Sequence, residues 1–208
     1  MFPVFPMPRS TKLQFVGLLT ATYFCIAAQP GWATPSRENV SVQFDESGDL
    51  KLVCGDLGSG IGPEAIKATV EKYRALFSDP NSLSDLRLAK LITAGSQKVY
   101  RFQQTYKGLE VLGSSLTVGV QKGRLNTLIN GLKPNLAVKI KPSINSQEAE
   151  EVAQQILPMD DGRISTRLVV FAERARPVLA YAVAYDDVTV VVDANNAQIL
   201  KVESPLND

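Results

Sequence analysis

The residue types that most often carry out catalysis are scarce in this sequence of 208 residues, which contains no histidine. A zinc protease needs two imidazoles one helical turn apart, together with a carboxylate base. A serine or cysteine hydrolase usually needs an imidazole to accept the proton of its nucleophile. Lysine-assisted serine catalysis would remain, but no Ser-x-x-Lys pattern stands at the start of a predicted helix. We therefore expect no catalytic residues, and we expect that the protein is not an enzyme.

Two further patterns resemble ligand sites only superficially. The glycine-rich segment Gly55–Gly62 lacks the Gly-Lys-Ser/Thr ending of a phosphate-binding loop, and we interpret it as a flexible loop. The acidic pairs Asp160-Asp161 and Asp186-Asp187 fall in predicted turns, where aspartate is favoured because it bonds its own backbone. A weak calcium site is the alternative at these pairs. We expect no metal and no cofactor.

The overall charge excludes one class of partner. The formal net charge is only +1, and the Lys and Arg residues are scattered along the sequence. There is no basic field to attract nucleic acid. The sequence predicts no nucleic-acid partner, and its 45% hydrophobic content is that of an ordinary globular protein.

The N-terminus has the pattern of a targeting segment. Arg9 and Lys12 precede an apolar stretch over residues 13–28, and Gly31-Trp32-Ala33 places small residues where a signal peptidase reads. This predicts a signal peptide over residues 1–33 that is cleaved after Ala33. The alternative is an uncleaved anchor, although the apolar stretch is short for a span of ~20 residues. We expect a secreted or periplasmic protein with no stable membrane anchor after cleavage.

Cysteine usage then excludes an internal disulfide. Cys25 lies inside the predicted signal peptide, which leaves Cys54 alone in the mature chain. Cys54 follows the apolar residues Leu52 and Val53. We favour a partly buried structural thiol over a reactive one.

The patterning predicts an α+β fold made of two similar halves. Residues 34–62 are predicted as a leader, or one edge strand, followed by the glycine-rich loop. The first half has a helix over Pro63–Phe77, and the second has a helix over Asn145–Leu157 that opens with a capping box to Glu148. Each helix needs a sheet to bury its apolar stripe, which gives two helix-plus-antiparallel-meander (cystatin-like) subdomains in tandem. The predicted strands span residues 98–107, 109–121, 124–131, 166–173, 177–186, 188–193 and 197–203.

One segment resembles a known family. The motif Val99-Tyr-Arg-Phe-Gln-Gln-Thr-Tyr-Lys-Gly-Leu-Glu-Val-Leu-Gly113 looks like the core of the fungalysin/thermolysin propeptide (FTP) domain. Downstream, Pro177-Val-Leu-Ala-Tyr and Val192-Asp-Ala-Asn-Asn-Ala-Gln-Ile-Leu200 resemble the PepSY domain that follows it in precursors of thermolysin-like zinc metalloproteases. The resemblance implies an FTP-like domain at 63–133, a PepSY-like domain at 142–203 and a tail at 204–208, with no catalytic domain. The sequence departs from the family at Val99, often a histidine, and at Ala197, usually a turn glycine.

The resemblance also implies a function and a partner. The expected function is a propeptide that inhibits and/or assists the folding of a secreted, thermolysin-like zinc metalloprotease. It would act in trans or belong to a precursor separated from its enzyme. The alternative is a non-proteolytic envelope binding module that reuses the fold. The candidate protease-binding residues are Arg101, Tyr106, Leu200, Val202, Pro205 and Leu206.

Overall fold

The computed structural model describes residues 40–157, 163–174 and 176–204, all within one structural unit. The predicted signal peptide with Ala33, the acidic pair Asp160-Asp161 and the tail residues Pro205 and Leu206 lie outside the described residues. The described part is mixed α and β, with mostly strands and two α-helices, α1 (Pro63–Val70) and α2 (Ser146–Gln154). The strands are β1 (Val40–Phe44), β2 (Leu50–Ser59), β3 (Leu86–Ala94), β4 (Gln97–Tyr106), β5 (Leu109–Gln121), β6 (Arg124–Asn130), β7 (Ile164–Phe171), β8 (Val178–Tyr185), β9 (Val188–Asp193) and β10 (Ile199–Glu203).

The first half is an antiparallel sheet in the order β3-β4-β5-β6-β2-β1, with α1 against one face. Pro63 stands in the first turn of α1 and Glu64 faces the positive end of the helix dipole, as predicted. The α-helix ends at Val70, earlier than expected, and the chain continues as a 3-10 helix over Glu71–Leu76. This tightening is common where a short helix ends. The buried core beneath α1 includes Ile66, Phe102, Val118 and Leu128.

The expected loop at Gly55–Gly62 is wrong over most of its length, because β2 continues to Ser59. Its glycines allow an irregular strand backbone at Gly55 and Gly58 and close packing at Gly60. Gly55 and Gly58 have φ of 130° and 113°, and the pairing of β2 with β6 is interrupted between Cys54 and Gly58. A Cβ at Gly60 would lie 2.8 Å from Leu125 Cδ1. Glycine here allows the chain to pass close to the core under α1.

The sequence pattern also missed β3. Eight of its nine residues are exposed, and its register against β4 breaks between Leu88 and Lys90. The bulge at Ala89 disrupts the strict alternation by which a strand is recognised. The turn after β4 was correctly predicted. Lys107 and Gly108 both have positive φ, 50° and 83°, as a two-residue hairpin turn requires.

The second half places α2 on a meander of β7, β8, β9 and β10. The capping box predicted for α2 is confirmed. The Glu148 backbone N–H donates to Asn145 Oδ1 at 3.0 Å, and the Asn145 N–H donates to Glu148 Oε2 at 2.8 Å. Ala149 and Ala153 are fully buried against the sheet.

The two halves share one strand, which the tandem expectation did not include. Residues 116–121 of β5 pair with β6, whereas Glu110, Val111 and Leu112 pair in parallel with β7. Arg167 on β7 forms an ion pair with Glu110 at 3.2 Å. All ten described strands therefore belong to one hydrogen-bonded sheet.

Candidate functional site

The structure separates the candidate protease-binding residues. Arg101 is exposed on the face of β4 that points away from α1. Tyr106, at the end of β4, is half-buried against the core of the second half, and Lys107 Nζ lies 5.1 Å from the centre of its ring. The two residues share a strand but not a surface.

Leu200 and Val202 lie on β10, far from Tyr106. Four strands (β5, β7, β8 and β9) intervene, so the distance is five inter-strand spacings, or ~24 Å. Leu200 packs on the side of the sheet opposite α2, and the side chain of Val202 is 48% exposed. No other described strand pairs with the outer edge of β10.

An ion-pair cluster joins β10 to the loop after β7. Lys201 Nζ lies 2.6 Å from Glu173 Oε2 and 2.5 Å from Glu203 Oε1. Arg174 Nη2 donates to the Leu200 carbonyl oxygen at 3.2 Å. The hydrogen bonds to Glu173, and then to Glu203, raise the pKa of Lys201 above its usual value. Charged side chains from the loop after β7 therefore add to the main-chain pairing of β10 with β9.

Gly113 of the family-like motif makes room for this cluster. Its φ is 75°, and a Cβ at this position would lie 2.3 Å from Glu173 Cγ. Any other residue would collide with the side chain that holds Lys201. Sequence spacing gave no signal for this contact, because Gly113 lies on β5 in the first half and Glu173 lies in the loop after β7 in the second half.

The two glutamines of the motif bond to the part of the fold where the register between β4 and β5 shifts, between Gln103 and Thr105. Gln103 Nε2 donates to the carbonyl oxygens of Val111 and Ser114, the latter at 2.7 Å. Gln104 is buried; its Oε1 accepts from the Ser114 hydroxyl and from the Lys133 N–H, and its Nε2 donates to the Lys133 carbonyl at 3.0 Å. The motif therefore specifies the place where β5 passes from one half to the other.

A cationic surface was also missed by the sequence reasoning, which found Lys and Arg scattered. Arg87, Lys90 and Arg101 are all exposed, and the register of β3 and β4 places them on one face. Lys90 lies directly opposite Arg101. The segment Leu86–Tyr106 contains no Asp or Glu. We call these three residues the cationic face.

The described residues offer little to a metal or small ligand. Among them, no group of three or more His, Cys, Asp and Glu side chains is placed to hold a metal ion. Cys54 is a free, half-buried thiol on β2. A cavity beside Asp49, Asn130 and Pro134 has a volume of about 10 Å³, which is room for about one water molecule. Within the described residues, no helix has the length and apolarity needed to cross a membrane.

The chain is similar to proteases of the thermolysin type over part of their length. Residues 90–130 match the family described as "Fungalysin/Thermolysin Propeptide Motif". Thermolysin from Bacillus caldolyticus is 32% identical over 218 residues, covering 93% of this chain and 39% of that protein. Thermostable neutral protease NprT from Geobacillus stearothermophilus is 27% identical over 219 residues, with the same coverage of 93% and 39%. Among solved structures, the Bacillus megaterium YpeB C-terminal domain aligns with a TM-score of 0.45 and 16% identity, over 74% of this chain and 71% of that one.

The family match and the alignment with thermolysin support a propeptide of the thermolysin type. The match over residues 90–130 confirms the predicted resemblance for the region that contains the motif Val99–Gly113. The chain spans about 39% of the length of the thermolysin that it resembles over nearly all of its own length.

Proposed function

We propose that this protein is a propeptide that inhibits and/or assists the folding of a thermolysin-like zinc metalloprotease, and that it has no catalytic role of its own. The observation that carries the proposal is the propeptide motif at residues 90–130, set within a 93% alignment of the chain to thermolysin. The chain reaches its site of action by export, with the signal peptide removed after Ala33.

The organisation that we propose is a tandem of two cystatin-like subdomains. The FTP-like domain covers residues 63–133 and the PepSY-like domain covers residues 142–203. Each has its own buried core, one beneath α1 and one beneath α2, which supports the division. The parallel pairing of β5 with β7 links them.

The proposed inhibitory element is the end of the chain. β10 has an unpaired outer edge among the described strands, and extended segments bind protease clefts by adding a strand. The Lys201–Glu173 ion pair joins β10, the strand that precedes residues 204–208 in the sequence, to the loop after β7. Pro205 lacks an N–H and has a fixed φ, which would hinder cleavage of its own bond.

The test uses thermolysin as the enzyme and has two arms. In the first, the purified protein is titrated against active enzyme and the inhibition constant is measured. In the second, denatured enzyme is refolded with and without the protein, and the recovered activity is measured. A protein that lowers activity in the first arm or raises recovery in the second fits the proposal.

Two variants locate the inhibitory element. Removal of residues 204–208 leaves β10 and its ion pairs in place and should weaken inhibition by more than tenfold, about 1.4 kcal/mol. The second variant, P205A, keeps the tail and should therefore inhibit the enzyme at first. Its inhibition should weaken with time, because the enzyme can cut the bond that Pro205 protects. If the truncated chain inhibits within about threefold of the full chain, the tail is not the inhibitory element. Failure of the full chain in both arms, with thermolysin and a second thermolysin-like protease, would favour the envelope binding module.

A further inference from the structure

The edge of the sheet formed by β3 has features that the proposed inhibition by β10 does not use. No other described strand pairs with the outer edge of β3, which is nine residues long, or ~30 Å. Three large apolar side chains on it are 40–48% exposed: Leu88, Leu91 and Ile92. A long, apolar, unpaired edge is a template for an added strand.

The cationic face is built at a cost in stability. Lys90 and Arg101 lie directly opposite each other on adjacent strands, an arrangement of like charges that destabilises a sheet. No ion pair to an acidic group compensates either side chain among the described residues. The surface is therefore positively charged without a partner inside the described fold.

The bulge at Ala89 creates this arrangement. Leu88 pairs with the core residue Phe102 on the neighbouring strand, and the two side chains lie on the same side of the sheet. In a regular strand, Lys90 would lie on that side too. Because the register shifts between Leu88 and Lys90, Lys90 moves to the outer face, beside Arg101. Leu91 then returns to the side of Leu88. The edge thus presents Leu88 and Leu91 on the core side of the sheet, and the cations together with Ile92 on the outer side.

This pattern identifies the chemistry of the occupant. A strand added beside β3 would place alternate side chains next to Leu88 and Leu91 on one side, and next to Arg87 and Lys90 on the other. Pairing with β3 of a second copy would bring cations together with no acid to neutralise them, since β3 and β4 contain no Asp or Glu. The occupant must supply acidic side chains.

We propose that β3 binds an extended segment of a partner protein in which acidic and apolar residues alternate, as an added strand at its free edge. The main chain of the segment pairs with β3, its acidic side chains contact Arg87 and Lys90, and Arg101 adds to their attraction. The site is separate from β10 and does not depend on protease inhibition.

The probe is a fluorescein-labelled peptide of eight residues that alternates Glu and Val, and its binding is measured by fluorescence anisotropy. The purified protein should bind this peptide and should bind a Lys/Val peptide at least tenfold more weakly. The R87Q/K90Q/R101Q variant should lose at least tenfold in affinity. The control K72Q/K139Q/K141Q removes three exposed cations elsewhere and should stay within twofold. Circular dichroism and thermal melting establish that both variants fold.

A second peptide tests the strand pairing. A Glu/Val peptide with alternate N-methylated amides keeps its charges but loses main-chain donors, and it should bind at least tenfold more weakly. Equal binding of the methylated peptide would overturn strand addition and leave a purely electrostatic contact. Absence of Glu/Val binding at 1 mM peptide, or binding of phosphatidylserine vesicles in its place, would overturn the proposal.

Discussion

The backbone of Gly113 on β5 approaches the side chain of Glu173 so closely that a Cβ at Gly113 would lie 2.3 Å from Glu173 Cγ. Glu173 in turn binds Lys201 of the last strand. A glycine in the motif of the first half therefore leaves room for the carboxylate that pairs with the C-terminal strand of the second half.

The first prediction tests this contact with G113A. The free energy of unfolding of this variant should be about 3 kcal/mol lower than that of the native protein, because alanine at this position combines a positive φ with a collision against Glu173. The control is G108A, at φ 83° with no atom within 4 Å of the added Cβ, and it should lose only about 1 kcal/mol. Urea unfolding measures both. Equal losses in the two variants would show that the contact with Glu173 is readily relieved.

The second prediction concerns the buried amide of Gln104. Q104A removes the partner of the Ser114 hydroxyl and of both main-chain groups of Lys133, and it should lower the free energy of unfolding by about 3 kcal/mol. Q97A changes an exposed residue of the same strand and should stay within about 0.5 kcal/mol. A loss below 1 kcal/mol in Q104A would mean that water replaces the amide at no great cost.

The sequence predicted those parts of the fold that local rules control. The capping box at Asn145 and Glu148 and the Lys107-Gly108 turn depend on neighbouring residues only, and both were correct. β3 was not predicted, because its bulge and its exposure disrupt the alternation of apolar and polar residues.

Contacts between distant segments could not be predicted from neighbouring residues in the sequence. The contact of Gly113 with Glu173 and the pair of Lys90 with Arg101 depend on strand order and register. A single sequence does not specify either. For the same reason the sequence did not show that the candidates Arg101 and Tyr106 lie on β4 whereas Leu200 lies on β10, with four strands between them.

The third prediction concerns acid stability. Arg124 Nε and Nη2 donate to the two carboxylate oxygens of Asp56, and this lowers the pKa of Asp56 below its ordinary value of 3.8. The stabilisation is therefore present above pH 3.8 and is lost as the pH falls through the lower, folded-state pKa. The difference in Tm between the native protein and D56N should be constant near neutral pH and should shrink below pH 3.8. The effect is small because the pair is exposed. A Tm difference that persists unchanged at pH 2 would contradict it.

The fourth prediction tests export. Trp32 is the only tryptophan in the sequence, and it lies before the expected cleavage after Ala33. Protein recovered from the periplasm or the medium should show tyrosine emission alone, and its intact mass should lack residues 1–33. A retained N-terminus with tryptophan emission would favour the uncleaved anchor.

The strand β5 couples the stability of the two halves, because it pairs with strands of both. It supplies main-chain hydrogen bonds to β4 along most of its length, to β6 near its end and to β7 near its start. β5 also contributes buried side chains to both hydrophobic cores, Leu116 and Val118 to the first and Val111 to the second, so a protease cut within β5 would weaken both. We therefore expect proteolysis within β5 to destabilise the two halves together.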